Sequence, residues 1–121
     1  SADTPLPMVA TRDIDEIAVQ ELLADTQTSE AVDIVGPEYT ERQVARSLSV
    51  VLGKPLEVVP IPEPGWMKAL VEAGFAPHIA ESLADLYRAD EQKRLGPRGD
   101  RSIRVTTDID TTVRHVLAQE V

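Results

Sequence analysis

The stretch VDIVGPEYTERQVARSLSVVLGKPLEVVPIP, residues 32–62, constrains the fold more than any other part of this chain. Val32, Ile34 and Val35 read as a short buried strand that Gly36-Pro37 breaks, and Thr40 with Gln43 has the spacing of a capping box. Val44, Ala45, Leu48, Val51 and Leu52 then recur at three- and four-residue steps, the period of a helix with one buried face. Gly53 stands where a left-handed residue ends such a helix. Residues 56–60 return as a second strand, and the prolines that follow stop it. The expectation is a β-α-β unit with a right-handed crossover and a parallel strand pair.

The flanking sequence adds helices. Met8 to Ala10 is expected as a short strand, after which Asp13 caps a helix and Glu16 completes a second capping-box spacing. Ile14, Ile17, Ala18 and Leu22 form its apolar stripe, and Glu21 is the one polar residue on that stripe. The polar run TQTSEA at 26–31 reads as a turn. Trp66, Met67, Leu70 and Val71 predict a short helix stopped by Gly74. Pro77 opens the next helix, which carries Ile79, Ala80, Leu83, Leu86 and Tyr87. Together they make a helical hairpin. Residues 92–102 read as an exposed basic loop, SIRVTT as a short extended piece, and the last segment as a helix with Val113, Val116 and Leu117 inside. The fold class is therefore α/β over a single domain of residues 1–121, with a small sheet of two or three short strands packed with four or five helices.

Composition narrows the function classes. A net charge of −9 opposes nucleic acid as a partner, because polyphosphate binding draws its affinity from Lys and Arg releasing counterions. The charge is uneven: Arg88, Lys93, Arg94, Arg98, Arg101 and Arg104 crowd one stretch, which reads either as a solvated counterweight to the acidic body or as an anion site. With no cysteine and only His78 and His115 as histidines, neither a disulfide framework nor a classical zinc site is expected. No apolar run approaches the ~20 residues that span a bilayer, and the first residues lack the regions of a signal peptide, so a cytoplasmic location without membrane contact is expected.

The order of the RDIDEIA helix start, the IVGPEYTERQVARSLSVVLGKPLEVVPIP unit and the WMKALVEAGFAPHIAESLADLY hairpin resembles the C-terminal part of the NmrA-like family, atypical short-chain dehydrogenase/reductases. The resemblance runs from about Val9 to the end and lies in the ordered set rather than in any one motif. It implies the substrate-binding lobe of an NAD(P)-dependent reductase-type protein. The chain departs from the family in having no strand followed by G-x-G-x-x-G, so the N-terminal Rossmann lobe is missing and this chain alone is expected to bind no NAD(P). The expected partners are a second copy in a homodimer, or a separate nucleotide-binding lobe. A hydrophobic carbonyl compound such as a quinone or polyketide-like molecule is the ligand class that the resemblance implies. Two other readings stay open: a standalone small-molecule binder or cofactor-independent cyclase or isomerase, and a protein–protein interaction or dimerisation module.

Candidate site residues cluster between Pro62 and Tyr87. Trp66, Met67 and Phe75 can wall an apolar pocket or pack between the hairpin helices. His78, in a first helical turn, can act as a general base or ligand contact, or stand as an ordinary polar surface residue. The hydroxyls of Tyr39 and Tyr87 can bond a substrate oxygen or sit at a core edge. His78 and Tyr87 are the only candidates for a catalytic proton transfer. Acidic pairs such as Asp13 with Glu16, or Asp108 with Asp110, are explained by helix starts alone.

Overall fold

A computed structural model describes residues 2–25 and 28–119. In chain order the elements are β1 (Leu6–Pro7), α1 (Thr11–Leu23), β2 (Val32–Val35), β3 (Glu38–Tyr39), α2 (Glu41–Leu52), a 3-10 turn (Glu63–Gly65), α3 (Trp66–Glu72), α4 (Pro77–Glu91), β4 (Arg101–Arg104) and α5 (Ile109–Gln119). The protein is α/β and mostly helical, 52% helix against 10% strand. It divides into two compact units, Val59–Gly96 and, separately, Ala2–Val58 with the chain from Pro97 onward.

In the second unit the strands form two pairs. β1 runs antiparallel to β3, with Leu6 opposite Tyr39, and β2 runs parallel to β4, with Ile34 opposite Ile103. A Met8 N–H to Pro37 carbonyl bond of 2.9 Å extends the first pair, and this brings Gly36 against Met8. A Cβ at Gly36 would fall 1.9 Å from the Met8 carbonyl oxygen, so only glycine fits there. The start of the parallel pair is clamped from both sides. Asp33 Oδ2 accepts the Gly99 N–H at 2.5 Å, Asp100 Oδ2 accepts the Ala31 N–H at 2.8 Å, and the Ala31 carbonyl accepts the Asp100 N–H at 2.7 Å.

Residues 56–60 do not form the second strand expected of them; β2 takes β4 as its parallel partner instead. Pro55, Pro60 and Pro62 carry no N–H, and the Leu56 N–H is already bonded to Ser49 Oγ at 3.0 Å. Arg101 to Arg104 contains no proline and can donate along its whole length. The expected β-α-β unit is thus replaced by a parallel pair whose crossover holds α2, α3 and α4.

Local signals decide the helix ends where no distant contact competes. At α2 both halves of the capping box form: Thr40 Oγ1 accepts the Gln43 N–H at 3.2 Å, and Gln43 Oε1 accepts the Thr40 N–H at 2.8 Å. Gly53 ends α2 with φ of 66°, the left-handed cap expected of it. At α1 the expectation fails. The strand predicted at Met8–Ala10 sits earlier, at Leu6–Pro7, and Ala10 rather than Asp13 is the N-cap residue. The Met8–Pro37 bond fixes the chain just before Ala10, so the helix starts at once. Asp13 falls into its first turn, where a carboxylate still favours the dipole. Its Oδ2 is buried with no hydrogen-bond partner, and the Asp13–Glu16 box does not form. The polar turn expected at 26–31 lies partly outside the described residues, which omit Thr26 and Gln27.

α2 and α5 pack together through a polar contact: Ser47, only 4% exposed, donates its hydroxyl to Asp110 Oδ1. Val113 of α5 and Ile17 of α1 are the larger buried apolar residues of this unit. In the other unit the expected hairpin forms. α3 ends at Gly74, whose φ of 100° turns the chain, and Pro77 is the first residue of α4. Ala80 and Ala84 are fully buried, small enough to let α3 approach α4 closely. α4 runs past Tyr87 to Glu91, and residues 92–98 are exposed as expected of the basic loop. Arg101 and Ser102, placed in that loop by the sequence, belong to β4.

A candidate binding groove between α1 and β2

Arg101 ties together the elements that flank a groove of the second unit. Its side chain leaves β4 and donates to Glu21 Oε2 at 2.6 Å and to Glu30 Oε1 at 2.8 Å, tying the last turns of α1 to the segment before β2. The two carboxylates, Glu21 first, hold the guanidinium above its ordinary range, so it stays charged. Between these tethered elements lies an open groove of about 590 Å³. Ile14, Ile17 and Ala18 of α1 and Val32 and Ile34 of β2 give it apolar walls, and Glu21, Thr28, Ser29 and Glu30 supply its polar groups. Its volume is that of an ordinary small-molecule site, and a few polar groups beside an apolar surface are what fixes a ligand's orientation. A second open groove of about 510 Å³ runs between α2 and residues 55–58, with Arg42, Arg46 and Glu57 beside Val50, Leu56 and Val58.

The residues predicted from sequence as a substrate cluster fall in both units, Tyr39 in one and Trp66, Met67, Phe75, His78 and Tyr87 in the other. Trp66 and Tyr87 do meet, edge to face, with ring centroids 5.8 Å apart and planes at 82°. The Trp66 indole N–H donates to the Ile61 carbonyl at 2.8 Å, which anchors the ring onto the chain entering the 3-10 turn. Beside it Arg88 donates to Glu63 Oε1 and to Asp85 Oδ1, each at 2.5 Å, and Glu63 is the larger cause of its raised pKa. This is a brace that joins α4 to the 3-10 turn. Met67 is half-buried, Phe75 is 44% exposed at the turn, and the His78 side chain is exposed on the first turn of α4. Tyr39 belongs to the other unit, where its hydroxyl accepts the Ile109 N–H at 3.2 Å and so caps α5. Neither groove is lined by any of these six residues.

One signal for the groove was present in the sequence. Glu21 stands on the apolar stripe of α1, seven residues after Ile14, where a carboxylate is out of place unless something answers it. Arg101, eighty positions away, is that answer, and no local pattern names it.

Two of the glycines lie against other backbone. These positions, Gly36 and Gly99, are filled by this chain itself: a Cβ at Gly99 would lie 2.6 Å from the Ala31 carbonyl oxygen. Neither leaves its amides open at the start of a helix for a pyrophosphate. Among the described residues no group of three or more His, Cys, Asp or Glu side chains is placed to hold a metal, and no helix is long and apolar enough to cross a membrane. No family model, no curated protein and no solved structure matches this chain.

Proposed function

We propose that this chain is the substrate-binding lobe of an NmrA-like, NAD(P)-dependent reductase-type protein whose nucleotide-binding lobe lies outside these 121 residues. The observation that supports this best is the α1–β2 groove: it has apolar walls, a few polar groups, the volume of a small organic ligand and an open side for another body to cover. The residues suit a planar hydrophobic carbonyl compound of the quinone type. Ile14, Ile17, Val32 and Ile34 meet its faces, and the Thr28 and Ser29 hydroxyls are donors for a carbonyl oxygen. The lobe's task is to bind and orient. Hydride chemistry belongs to the cofactor of the other lobe, since this sequence has no strand followed by G-x-G-x-x-G.

The test is a titration of the isotopically labelled chain with a naphthoquinone and a panel of aromatic ketones, followed by amide chemical shifts. The expected result is a saturable shift confined to residues 14–21 and 28–34. Movement of residues 62–87 alone would transfer the site to the hairpin, against the groove. If no amide moves up to the solubility limit of the panel, the substrate-binding reading is wrong.

A further inference from the structure

We propose that the groove between α2 and residues 55–58 binds an apolar α-amino acid as its zwitterion, with Arg46 holding the carboxylate and Glu57 the ammonium group. Arg42, Arg46 and Val50 follow at four-residue steps and so form one row along α2. Two like charges a turn apart on a helix repel each other unless something answers them. Asp3 answers Arg42, accepting from its Nε at 2.6 Å. Arg46 has no hydrogen bond or ion pair among the described residues. Glu57, on the facing wall, has none either, so the two do not pair with each other. Ser49 sets the distance between the walls. Its hydroxyl donates to the Ala45 carbonyl at 2.8 Å and accepts the Leu56 N–H at 3.0 Å, and its carbonyl accepts the Lys54 N–H at 3.2 Å. The segment that carries Glu57 is therefore stitched to the last turn of α2, and the two charges are held apart before any ligand arrives.

Two unanswered charges of opposite sign in one groove identify the ligand. A carboxylate alone would answer Arg46 and set its own charge facing Glu57, and an amine alone would do the reverse. A molecule that carries both charges answers both, and being neutral overall it is not repelled by a chain of net charge −9. A guanidinium takes a carboxylate by two parallel bonds, and a carboxylate accepts from an ammonium group. The rest of the groove is apolar. Val50 and Leu56 are 70% and 38% exposed and Val58 is half-buried, so an aliphatic or aromatic side chain laid on them removes that surface from water. About 510 Å³ holds an amino acid as large as leucine or phenylalanine. The site shares no residue with the α1–β2 groove, so it goes beyond the reductase-lobe reading and stands or falls separately from it.

Titration of the isotopically labelled chain with L-leucine and L-phenylalanine, followed by amide chemical shifts, tests the site. Saturable shifts confined to residues 42–58 are expected, with half-saturation below about 1 mM. Isocaproate and isoamylamine keep the apolar tail of leucine but carry only one of its charges, and each is expected to bind at least ~10-fold more weakly. Arg46→Gln and Glu57→Gln are each expected to weaken leucine ~10-fold, the first leaving it no tighter than isoamylamine and the second no tighter than isocaproate. Arg12→Gln removes an exposed arginine of α1 outside the groove, controls for net charge and should leave leucine binding unchanged. If either groove variant loses helicity, the comparison of leucine, isocaproate and isoamylamine on the parent chain decides alone. No shift of residues 42–58 up to about 20 mM amino acid overturns the proposal. So does isocaproate binding as tightly as leucine, which makes the groove a plain anion site, or movement of the same amides when the chain alone is concentrated, which gives the groove to a second copy.

Discussion

Replacing Gly99 by alanine tests the reading of the parallel pair as the tie between the two ends of the chain. The new Cβ would stand 2.6 Å from the Ala31 carbonyl oxygen and 2.8 Å from Asp33 Oδ2. The Ala31 contact is with backbone, so relief requires β2 and β4 to part at their start. Parting weakens the bond from the Gly99 N–H to the Asp33 carboxylate, a charge-assisted bond worth about 1.5–3 kcal/mol, along with the Ala31–Asp100 exchange beside it. Overpacking adds about 1–3 kcal/mol, and the loss of glycine entropy in the unfolded chain returns about 0.5 kcal/mol. The expected net loss is therefore about 3 kcal/mol. Gly96→Ala is the control: nothing lies within 4 Å of its Cβ and its φ is not positive, so it should be neutral or stabilise by about 0.5 kcal/mol. Urea unfolding followed by far-ultraviolet circular dichroism measures both. Trp66, the only tryptophan, reports the hairpin unit separately by fluorescence. If Gly99→Ala costs no more than Gly96→Ala, the clamp at the start of β2 and β4 is not as described.

Three further outcomes are expected. Thr40→Ala removes one half of the capping box of α2 and should cost about 1 kcal/mol in urea unfolding; an unchanged midpoint would mean that the cap carries no stability. Asp108 accepts the Thr111 N–H at 2.7 Å, and that bond is the main cause of its lowered carboxyl pKa. A depressed folded pKa contributes stability that is present above the ordinary value of 3.8 and is lost as pH falls through the folded value. Asp108→Asn should therefore flatten the acid limb of the melting temperature below about pH 4, and an identical limb would contradict the bond. Calorimetric titration with NADPH or NADH should give a dissociation constant no tighter than about millimolar, because the sequence has no strand followed by G-x-G-x-x-G, and a micromolar value would overturn that expectation.

What the sequence determined by itself is what neighbouring residues decide among themselves. The Thr40–Gln43 box, the left-handed Gly53, the turn at Gly74 and the start of α4 at Pro77 depend on bonds and torsions within one or two helical turns, and all four form where the local pattern puts them. Asp13 had an equally good local pattern and lost. A backbone bond from Met8 to Pro37 fixed the chain ahead of it, and a contact across about 30 positions leaves no trace in a capping-box spacing. The strand pairing shows the same limit. Val32 to Val35 is recognisable as a strand from its own residues, yet its partner was open to every extended segment downstream. Three prolines and the Leu56–Ser49 bond removed the nearer candidate, and Arg101 to Arg104 took its place. The groove follows from that choice, because β4 is what brings Arg101 to Glu21 and Glu30. Glu21 on an apolar stripe announced in advance that a partner was needed; only the tertiary structure could supply it, since ion pairs and parallel ladders join residues whose separation along the chain is unconstrained by either one's neighbours.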